Sequence, residues 1–344
     1  MQIKLFILVL FIGCMSCQHN TEKTELKVLQ FNIWQEGTVV ENGFPAIVDN
    51  ILSLDPDMIT FSEVRNYNDE DFIERLKQAL KQKGLEYYGK SSISTGILSK
   101  YPISKQEVIY PLQNDRGSVT KAEITVNDKT VILYSAHLDY THYACFLPRG
   151  YDGITWEKLD TIVTDLHIIQ TMNQNSLRDE AVNEIIKDAK KEAEKDRIII
   201  VGGDFNEPSH LDWVESTKDS FDHNGVIYAW DCSTLLYENG FRDAYREIYP
   251  DPSSHPGFTF PSNNEHMEVQ KLTWAPDADE QERIDFIYFK PNKKLYLKDI
   301  SIVGPSGSII RNERVKNESN DPLILPHGIW PTDHKAVMAT FILK

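Results

Sequence analysis

Residues 197–208, RIIIVGGDFNEP, place a short apolar run directly before two glycines, a carboxylate and a carboxamide. An apolar run of this length, bounded by glycines, is typical of a buried β-strand. The strand therefore ends by delivering Asp204 and Asn206 to one place. We interpret Gly202 and Gly203 as the residues that let the backbone approach a ligand closely.

Other strand-like segments begin or end with a polar residue in the same way. The segments VLQFN, ITFSE, ILYSAH, RIDFIYF and TDHKAVMATFI carry Asn32, Glu63, His137, Asp285, and Asp333 with His334. Ligand sites of α/β proteins gather at strand ends, where a rigid scaffold holds the functional groups. We therefore expect all these side chains to meet at one site.

Strand and helix patterns alternate from about residue 26 onward. The segment 69–84 predicts a helix, and 121–138 predicts a hairpin that turns at Asn127-Asp128. We expect a polar helical stretch at about 156–195 and a long loop at 304–331. Because no repeat or linker divides the chain, we predict one mixed α/β domain over residues 26–344, with more than one sheet.

The formal net charge of −16 limits the partners of this chain. An acidic surface repels phosphate backbones, whereas nucleic-acid binding normally needs a basic footprint. A protein that reads a nucleic-acid sequence is therefore disfavoured. An enzyme is less strongly disfavoured, because a local metal ion reverses the sign of the field inside a cleft.

The first 25 residues have the pattern of a targeting segment. Lys4 is followed by LFILVLFIG, which is too short to span a bilayer as a permanent helix. The next residues, CMSCQHNTEKTE, resemble a bacterial lipoprotein signal. We predict a signal peptide over residues 1–16, lipidation of Cys17 rather than Cys14, and a polar tether over 17–25. The expected location is the bacterial cell envelope, periplasmic or at the cell surface, with an ordinary secretory signal as the alternative.

Two further cysteines, Cys145 and Cys232, follow this segment. In an oxidising compartment they could form one disulfide, and two free buried thiols are an equal alternative. No Cys/His spacing of a zinc site is present. The sequence therefore leaves the state of the two thiols open and does not support a zinc site.

The residue types at the strand ends indicate a reaction class. Carboxylates and carboxamides without thiols suit a hard cation, Mg²⁺ or Mn²⁺. Two histidines can act as acid and base near neutral pH. Together they indicate a water molecule attacking a phosphorus ester, with the metal ion neutralising charge on the phosphoryl oxygens.

Taken in order, FNIW, SEV, GILSKYPI, AHL, GGDFNEP, RIDFIYF and TDHKAV resemble the endonuclease/exonuclease/phosphatase superfamily over about residues 26–344. The superfamily includes deoxyribonuclease I and bacterial sphingomyelinases. The resemblance implies a four-layer α/β/β/α sandwich of two mainly antiparallel or mixed sheets. It also implies a Mg²⁺-dependent phosphoesterase that hydrolyses a phosphodiester of a phospholipid headgroup, a phosphorylated sugar or a nucleic acid. The alternatives are a secreted deoxyribonuclease I-like nuclease and a non-catalytic envelope protein that uses the fold for binding.

The resemblance assigns three residues to the metal site. Glu63 is expected to be a direct Mg²⁺ ligand, and Asn32 and Asp333 are expected to complete the site. Each also has a structural alternative, since an amide satisfies backbone groups and a carboxylate can be solvated or sit in a turn.

The resemblance assigns the catalytic roles to five residues. Asp204 and Asn206 are expected to position the attacking water or the phosphate, and His137 to protonate the leaving oxygen or stabilise the transition state. Asp285 is expected to orient His334, which takes the proton of the water or binds a phosphoryl oxygen. We favour the pair as the base, because a carboxylate behind an imidazole fixes its tautomer. The structural alternatives are that Asn206 caps a helix near residue 208 and that Asp285 pairs with a neighbouring arginine.

The segment 139–156, DYTHYACFLPRGYDGITW, is a candidate substrate-contacting loop. Arg149 could grip a phosphate or carboxylate with two hydrogen bonds, and Arg116 is a second candidate phosphate contact. Aromatic residues of the loop could stack on a base or sugar, or touch a lipid headgroup. They are Tyr140, Tyr143, Tyr151 and Trp156. An equal alternative is a small separate core beneath the loop. The sequence does not indicate an oligomeric state.

Overall fold

The computed structural model describes residues 23–316 and 318–344. The predicted signal peptide, Cys14, Cys17 and the tether up to residue 22 lie outside these ranges. Within the described ranges, no helix has the length and apolar character needed to cross a membrane.

Strands and helices alternate over the described part of the chain. The strands are β1 (Thr24–Asn32), β2 (Met58–Val64), β3 (Ser94–Ser99), β4 (Ile103–Tyr110), β5 (Ser118–Val126), β6 (Lys129–His137), β7 (Ile198–Asp204), β8 (Arg242–Asp243), β9 (Asp285–Phe289), β10 (Leu295–Val303), β11 (Ser308–Ile310), β12 (Glu313–Val315), β13 (Leu323–Ile324) and β14 (Ala336–Leu343). The helices are α1 (Gly43–Leu54), α2 (Phe72–Gln82), α3 (Leu166–Gln174), α4 (Arg178–Ala193), α5 (Asp231–Glu238) and α6 (Ala244–Ile248).

The strands form two six-stranded mixed sheets. The first has the order β13-β10-β14-β1-β2-β3 and the second β4-β5-β6-β7-β9-β8, while β11 and β12 form a separate hairpin. Each large sheet has a parallel pair near its middle, β1 with β2 and β6 with β7, flanked by antiparallel neighbours. Because parallel strands end at the same edge, the carboxyl ends of each central pair lie side by side.

Apolar residues pack in three layers around these sheets. Residues such as Val28 and Met58 of the first sheet meet Leu133 and Ile200 of the second in a core between the sheets. The outer face of the first sheet packs against α1 and α2, and the outer face of the second packs against α4 and α5. This arrangement confirms the predicted four-layer α/β/β/α sandwich.

The local predictions hold where the sequence pattern is regular. The predicted helix at 69–84 is α2, whose first turn is capped by Asp71 accepting from the backbone N–H of Glu74. The predicted hairpin is β5 and β6, joined at Asn127-Asp128. The helical stretch predicted from 156 begins only at α3, because Asp165 caps that helix. The loop predicted at 304–331 contains β11, β12 and β13.

The two glycines of β7 serve strand packing, which corrects the interpretation that they accommodate a ligand. A Cβ atom on Gly202 would lie 2.2 Å from Oγ1 of Thr60 on the opposite sheet. A Cβ atom on Gly203 would lie 2.5 Å from the carbonyl oxygen of Ala136 on the neighbouring strand. Gly202 therefore lets the two sheets approach each other directly beneath the predicted site, and Gly203 lets β6 and β7 pack closely within one sheet.

Candidate active site

Strand register brings the predicted residues of the second sheet into one row. His137 lies opposite Asp204 in the β6–β7 pair, and Asp204 lies opposite Asp285 in the β7–β9 pair. On the first sheet, Asn32 lies opposite Ser62, which precedes Glu63. Asp333 and His334 directly precede β14, which runs antiparallel to β1. The eight predicted metal and catalytic residues therefore meet at one edge of the sandwich.

Polar side chains connect the two sheets at this edge. Nδ2 of Asn32 donates to Oε1 of Glu63 at 3.2 Å and to Oδ2 of Asp204 at 2.9 Å. The hydroxyl of Ser62 accepts from the backbone N–H of Asp204 at 3.2 Å and donates to the carbonyl of Ala136 at 3.2 Å. These buried bonds fix the distance between the carboxylates contributed by the two sheets.

A β-bulge aims the side chain of Glu63. The pairing of β2 with β3 shifts register between Ser62 and Val64, and Glu63 has a φ of 70°. A left-handed backbone is unfavourable for a glutamate and is found most often at functional sites. Oε2 of Glu63 accepts from the backbone N–H of Gln35 at 3.0 Å. The carboxylate is thus held in one orientation while remaining partly accessible.

Asp333 contributes a second carboxylate close to Glu63. Burial raises the pKa of Asp333 to about 7, with His334 opposing this rise and Glu63 adding to it. Its recorded side-chain partner is the hydroxyl of Thr332 at 3.3 Å. Two neighbouring carboxylates that both line the cavity fit a hard divalent cation.

Asn32 is turned away from direct cation binding. Its amide oxygen accepts from the backbone N–H of Trp34 at 2.9 Å, so the group facing the carboxylates is the NH₂ donor. A donor cannot ligate a cation. Asn32 therefore orients the carboxylates of Glu63 and Asp204 through these hydrogen bonds.

His334 is held between two carboxylates. Its Nδ1 lies 2.8 Å from Oδ2 of Asp285, and its Nε2 lies 3.9 Å from Oδ2 of Asp204. Burial alone would lower the pKa of His334, but the charges of Asp285 and Asp204 outweigh it and raise that pKa well above its usual value. The distance of 3.9 Å is longer than a hydrogen bond, so Nε2 faces the site without a hydrogen bond to Asp204.

Asp285 is itself fixed by neighbours that the sequence reasoning missed. Nε2 of Gln30 donates to its Oδ1 at 3.4 Å, and the hydroxyl of Thr259 accepts from its backbone N–H at 3.1 Å. Gln30 was detectable as a polar residue within the apolar segment VLQFN. Thr259 lies in the segment HPGFTFP, which the sequence indicates as another wall of the cleft without predicting a contact with Asp285. The alternative that Asp285 pairs with Arg283 is wrong, because Arg283 binds Asp212 and Asp243.

His137 has a different environment from His334. Its Nδ1 lies 2.8 Å from the hydroxyl of Ser94, another residue that the sequence did not single out. Burial lowers the pKa of His137 to about 3, and the charges of Arg65 and His334 contribute to this. The imidazole is therefore neutral near pH 7.

Asp204 and Asn206 lie together at the end of β7. Oδ1 of Asp204 accepts from the backbone N–H of Asn206 at 2.9 Å, and Nδ2 of Asn206 donates to the carbonyl of Leu138 at 3.1 Å. Burial raises the pKa of Asp204 to about 7, and the Asp285 carboxylate adds to it. The next helix after β7 begins at Asp231, so the alternative that Asn206 caps a helix near residue 208 is wrong.

These residues lie at one end of a cavity of about 270 Å³. Glu63, His137, Asp204, Asn206, Asp333 and His334 line it, while Asn32 and Asp285 lie behind that lining. Aromatic side chains form much of the remaining wall. They are Trp34, Tyr140, Tyr143, Phe146, Trp156, Phe260 and Trp274.

Arg65 is the one Lys or Arg among the described residues that line this cavity, and it forms an ion pair with Asp115. Arg65 was not among the residues predicted from the sequence. It directly follows the end of β2, two residues after Glu63.

The structure corrects the prediction that Arg149 and Tyr151 contact substrate. The Arg149 guanidinium is fully buried and donates to Oε1 of Glu282 at 2.8 Å. Tyr151 is buried in a separate core, where its hydroxyl accepts from the backbone N–H of Asp277. Arg116 is bound to Asp139 and does not line the cavity.

The alternative of a separate core beneath segment 139–156 is confirmed, although Tyr140, Tyr143 and Trp156 also reach the cavity. Cys145 and Cys232 are both free and buried, so they do not form a disulfide with each other.

Sequence and structure comparisons place this site within a known family. The model of the Endonuclease/Exonuclease/phosphatase family matches residues 29–334. A protein of Caenorhabditis elegans, described as uncharacterized protein F14F9.5, is 30% identical over 345 residues, which cover 98% of each chain.

Two solved structures of TDP2 share the fold at low sequence identity. Humanized D. rerio TDP2 is 15% identical with a TM-score of 0.52, over 92% of this chain and 98% of that one. Caenorhabditis elegans TDP2 is 17% identical with a TM-score of 0.52, over 92% of this chain and 75% of that one. Enzymes of the matched family hydrolyse phosphoric ester bonds and generally use divalent metal ions. The chain belongs to the endonuclease/exonuclease/phosphatase family.

Proposed function

We propose that this protein is a Mg²⁺-dependent phosphodiesterase that hydrolyses its substrate by direct attack of water. The observation that carries the proposal is the convergence of Glu63, Asp333, Asp204, His137 and the Asp285–His334 pair on one cavity. Each group has the chemistry that attack of water on phosphorus needs, and the described residues that line the cavity include no Ser, Thr or Cys.

Glu63 and Asp333 are the residues that would hold the metal ion. Their carboxylates are neighbours, and both present oxygen to the cavity. Mg²⁺ favours such oxygen ligands, and Mn²⁺ accepts the same set. When bound, the ion neutralises negative charge that develops on the phosphoryl oxygens. Asn32 keeps Glu63 in position through the hydrogen bond from Nδ2.

Asp204 and His334 act on the attacking water. The charges of Asp204 and His334 influence each other's protonation, so the proton taken from water is assigned to the pair and not to either residue. Asp285 fixes the ring of His334 through Nδ1, and Gln30 and Thr259 fix Asp285. Nδ2 of Asn206 is held by the Leu138 carbonyl, which places this amide beside the same water.

His137 stabilises the phosphoryl group in the transition state. We assign the Ser94 hydroxyl as the donor in its hydrogen bond with Nδ1, which leaves Nε2–H as a neutral donor toward the cavity. Because burial lowers the pKa of His137 to about 3, its imidazole is a poor proton source for the leaving oxygen. Of the two roles expected for His137, we therefore propose the stabilising one.

The charge of the cavity favours a small phosphodiester over a nucleic-acid chain. Arg65 is the one Lys or Arg among the described lining residues, and Asp115 already partners it. A polynucleotide needs several cationic contacts along its backbone. The secreted-nuclease alternative therefore receives no support from the cavity.

A lipid anchor at Cys17 remains our proposal for location, in the bacterial cell envelope. Such an anchor has a geometric consequence. Thr24 and Asn32 are the two ends of β1, which at about 3.3 Å per residue spans roughly 30 Å. The chain therefore enters the sandwich at the end away from the active site.

A chromogenic diester, bis(p-nitrophenyl) phosphate, tests the proposal with soluble residues 18–344 and Mg²⁺. We expect turnover by the wild-type protein and a loss of at least 100-fold in kcat for His334→Ala and His137→Ala. His327→Ala, which changes an exposed histidine outside the cavity, is the matched control.

Hydrolysis in ¹⁸O-labelled water should place the label in the phosphoryl product, because water attacks phosphorus. Unchanged turnover in both active-site variants would overturn the proposed site. Complete absence of turnover in folded, Mg²⁺-loaded protein would favour the non-catalytic binding protein.

A further inference from the structure

Two tryptophans stand together at the wall of the active-site cavity. The ring centroids of Trp156 and Trp274 lie 5.4 Å apart, with the rings tilted by 43°. Both rings line the cavity that contains His137 and His334. Trp274 is 53% exposed, a large fraction for so apolar a ring. An exposed aromatic surface beside catalytic groups is suited to hold part of a ligand.

Trp156 combines an uncommon backbone conformation with a ring that packs against other aromatic rings. Trp156 has a φ of 64°, a conformation that is rare for a bulky residue and clusters at functional sites. The ring packs edge-to-face on Phe146 at 5.4 Å and lies 5.9 Å from the ring of Tyr143. The buried core beneath segment 139–156 therefore supports Trp156 from behind.

The backbone of Trp274 is held by a buried carboxylate. The N–H of Trp274 donates to Glu280 at 3.0 Å, and the N–H of Ala275 donates to the same carboxylate at 2.9 Å. Glu280 is 1% exposed. Burying a carboxylate is costly unless hydrogen bonds compensate it. Here the compensating hydrogen bonds come from the loop that carries the exposed Trp274 ring. The Glu280 carboxylate therefore fixes the backbone position of Trp274.

The shape and charge of this wall select among ligands. The two tryptophan rings contact each other at a tilt of 43°, so they form one angled wall and not a cage that surrounds an ammonium group. The cavity offers the single, already paired cation Arg65 among its described lining residues, which suits one phosphate and not several. The exposed face of a tryptophan ring stacks well against a planar ring.

We propose that Trp156 and Trp274 form a subsite for a planar aromatic ring attached to the phosphate of the substrate. This inference rests on the proposed phosphodiesterase function and narrows its substrate class to small phosphoesters that carry such a ring. The ring could be a nucleobase or a simple aryl group, since both present the same π-face. Glu280 is a positioning residue, because it acts through the backbone of Trp274.

Binding of three matched phosphonates tests the subsite without requiring turnover. Phenyl-, cyclohexyl- and methylphosphonate differ in having a planar ring, a non-planar ring and no ring. In calorimetric titrations with Mg²⁺, we expect the wild-type protein to bind phenylphosphonate about tenfold or more tightly than the other two, which corresponds to the usual contribution of one stacked ring. Thymidine 5′-monophosphate, run beside phenylphosphonate, distinguishes a nucleobase from an aryl source.

Variants of Trp274 assign the preference to this wall. Trp274→Leu should remove the preference for the phenyl probe and leave the affinity for methylphosphonate unchanged, whereas Trp274→Phe should retain most of it. Tyr296→Leu, which removes an exposed ring on β10, is the matched control and should have no effect.

Several results would overturn the subsite. They are equal wild-type affinities for the phenyl and methyl probes, equal weakening of all probes by Trp274→Leu, and an effect of Trp274→Leu on binding to phosphatidylcholine vesicles alone. A preserved ring preference in a protein that hydrolyses no diester would overturn the phosphodiesterase function and leave the subsite standing.

Discussion

Replacement of Arg149 by methionine distinguishes a structural arginine from a substrate contact. The side chain is fully buried, and it donates to the carboxylate of Glu282 and to the backbone carbonyls of Cys145, Phe221, Asp279 and Gln281. Arg149→Met removes all of these donors and leaves Glu282 as a buried carboxylate without its cation. We therefore expect a large loss of stability and little change in substrate affinity.

The magnitude follows from the burial of both partners. Removal of one member of a buried ion pair costs about 3–5 kcal/mol. At about 2.1 cal/mol/K of unfolding entropy per residue, this cost lowers the melting temperature of a 344-residue chain by about 4–7 °C. Burial raises the pKa of Glu282 to about 7 even with Arg149 nearby, so protonation of the orphaned carboxyl will recover part of the loss.

Urea denaturation and calorimetric melting measure this loss, with KM on a chromogenic diester measured in parallel. Glu282→Gln added to Arg149→Met should regain stability, because it removes the uncompensated charge. Arg116→Met changes a partly exposed arginine outside the cavity and should cost far less. An Arg149→Met protein of wild-type stability with a KM raised tenfold would refute the structural role and restore Arg149 as a substrate contact.

Three further changes test separate parts of the account. Gly202→Ala should cost about 1–3 kcal/mol in urea denaturation, because its Cβ would lie 2.2 Å from Oγ1 of Thr60, and adding Thr60→Ala should recover part of that cost. Ser94→Ala should lower kcat about tenfold and leave KM nearly unchanged, because it frees the His137 ring; an unchanged kcat would argue against this orienting role. Burial and three neighbouring carboxylates raise the pKa of Asp179 from 3.8 to about 7, so its ionisation costs stability as pH rises through that interval. Asp179→Asn should therefore stabilise the protein more at pH 8 than at pH 4, and equal effects at both values would contradict the assignment.

The sequence predicted those parts of the fold and the site that depend on strand order. Apolar runs located the strands, and the polar residues at their ends located the edge where the site lies. His137, Asp204 and Asp285 come together because of strand register, which the alternation of strands and helices makes possible. Motif order supplied the family, which the match over residues 29–334 confirms.

The residues that the sequence misassigned depend on packing between distant segments. An arginine such as Arg149 could bind a phosphate, but its guanidinium is already paired with the carboxylate of Glu282, 133 residues later. Gly202 stands before a catalytic carboxylate, yet the atom that excludes a larger residue belongs to the opposite sheet. Thr259 and Ser94 act through hydrogen bonds made at long sequence separation. Local pattern carries no information on such contacts.

Trp274 is a further residue whose importance could not be predicted from the local sequence. TWAPDAD has the composition of an ordinary loop, and its tryptophan gains significance only because Glu280 and Trp156 hold it beside the catalytic histidines. The aromatic segment 139–156 was correctly located near the site, but it contributes both a core and part of the cavity wall.

We propose that Glu63 takes part in metal-dependent hydrolysis of a phosphodiester. The most direct test measures kcat/KM on bis(p-nitrophenyl) phosphate for the wild-type protein and Glu63→Gln during a Mg²⁺ titration after treatment with EDTA. Glu86→Gln, which alters an exposed glutamate paired with Lys81, is the control. We expect that EDTA abolishes the activity of the wild-type protein and that Mg²⁺ restores it. At saturating Mg²⁺, kcat/KM of Glu63→Gln should be at least 100-fold lower than that of the wild-type protein. Equal turnover by both proteins, or turnover that EDTA does not affect, would contradict it.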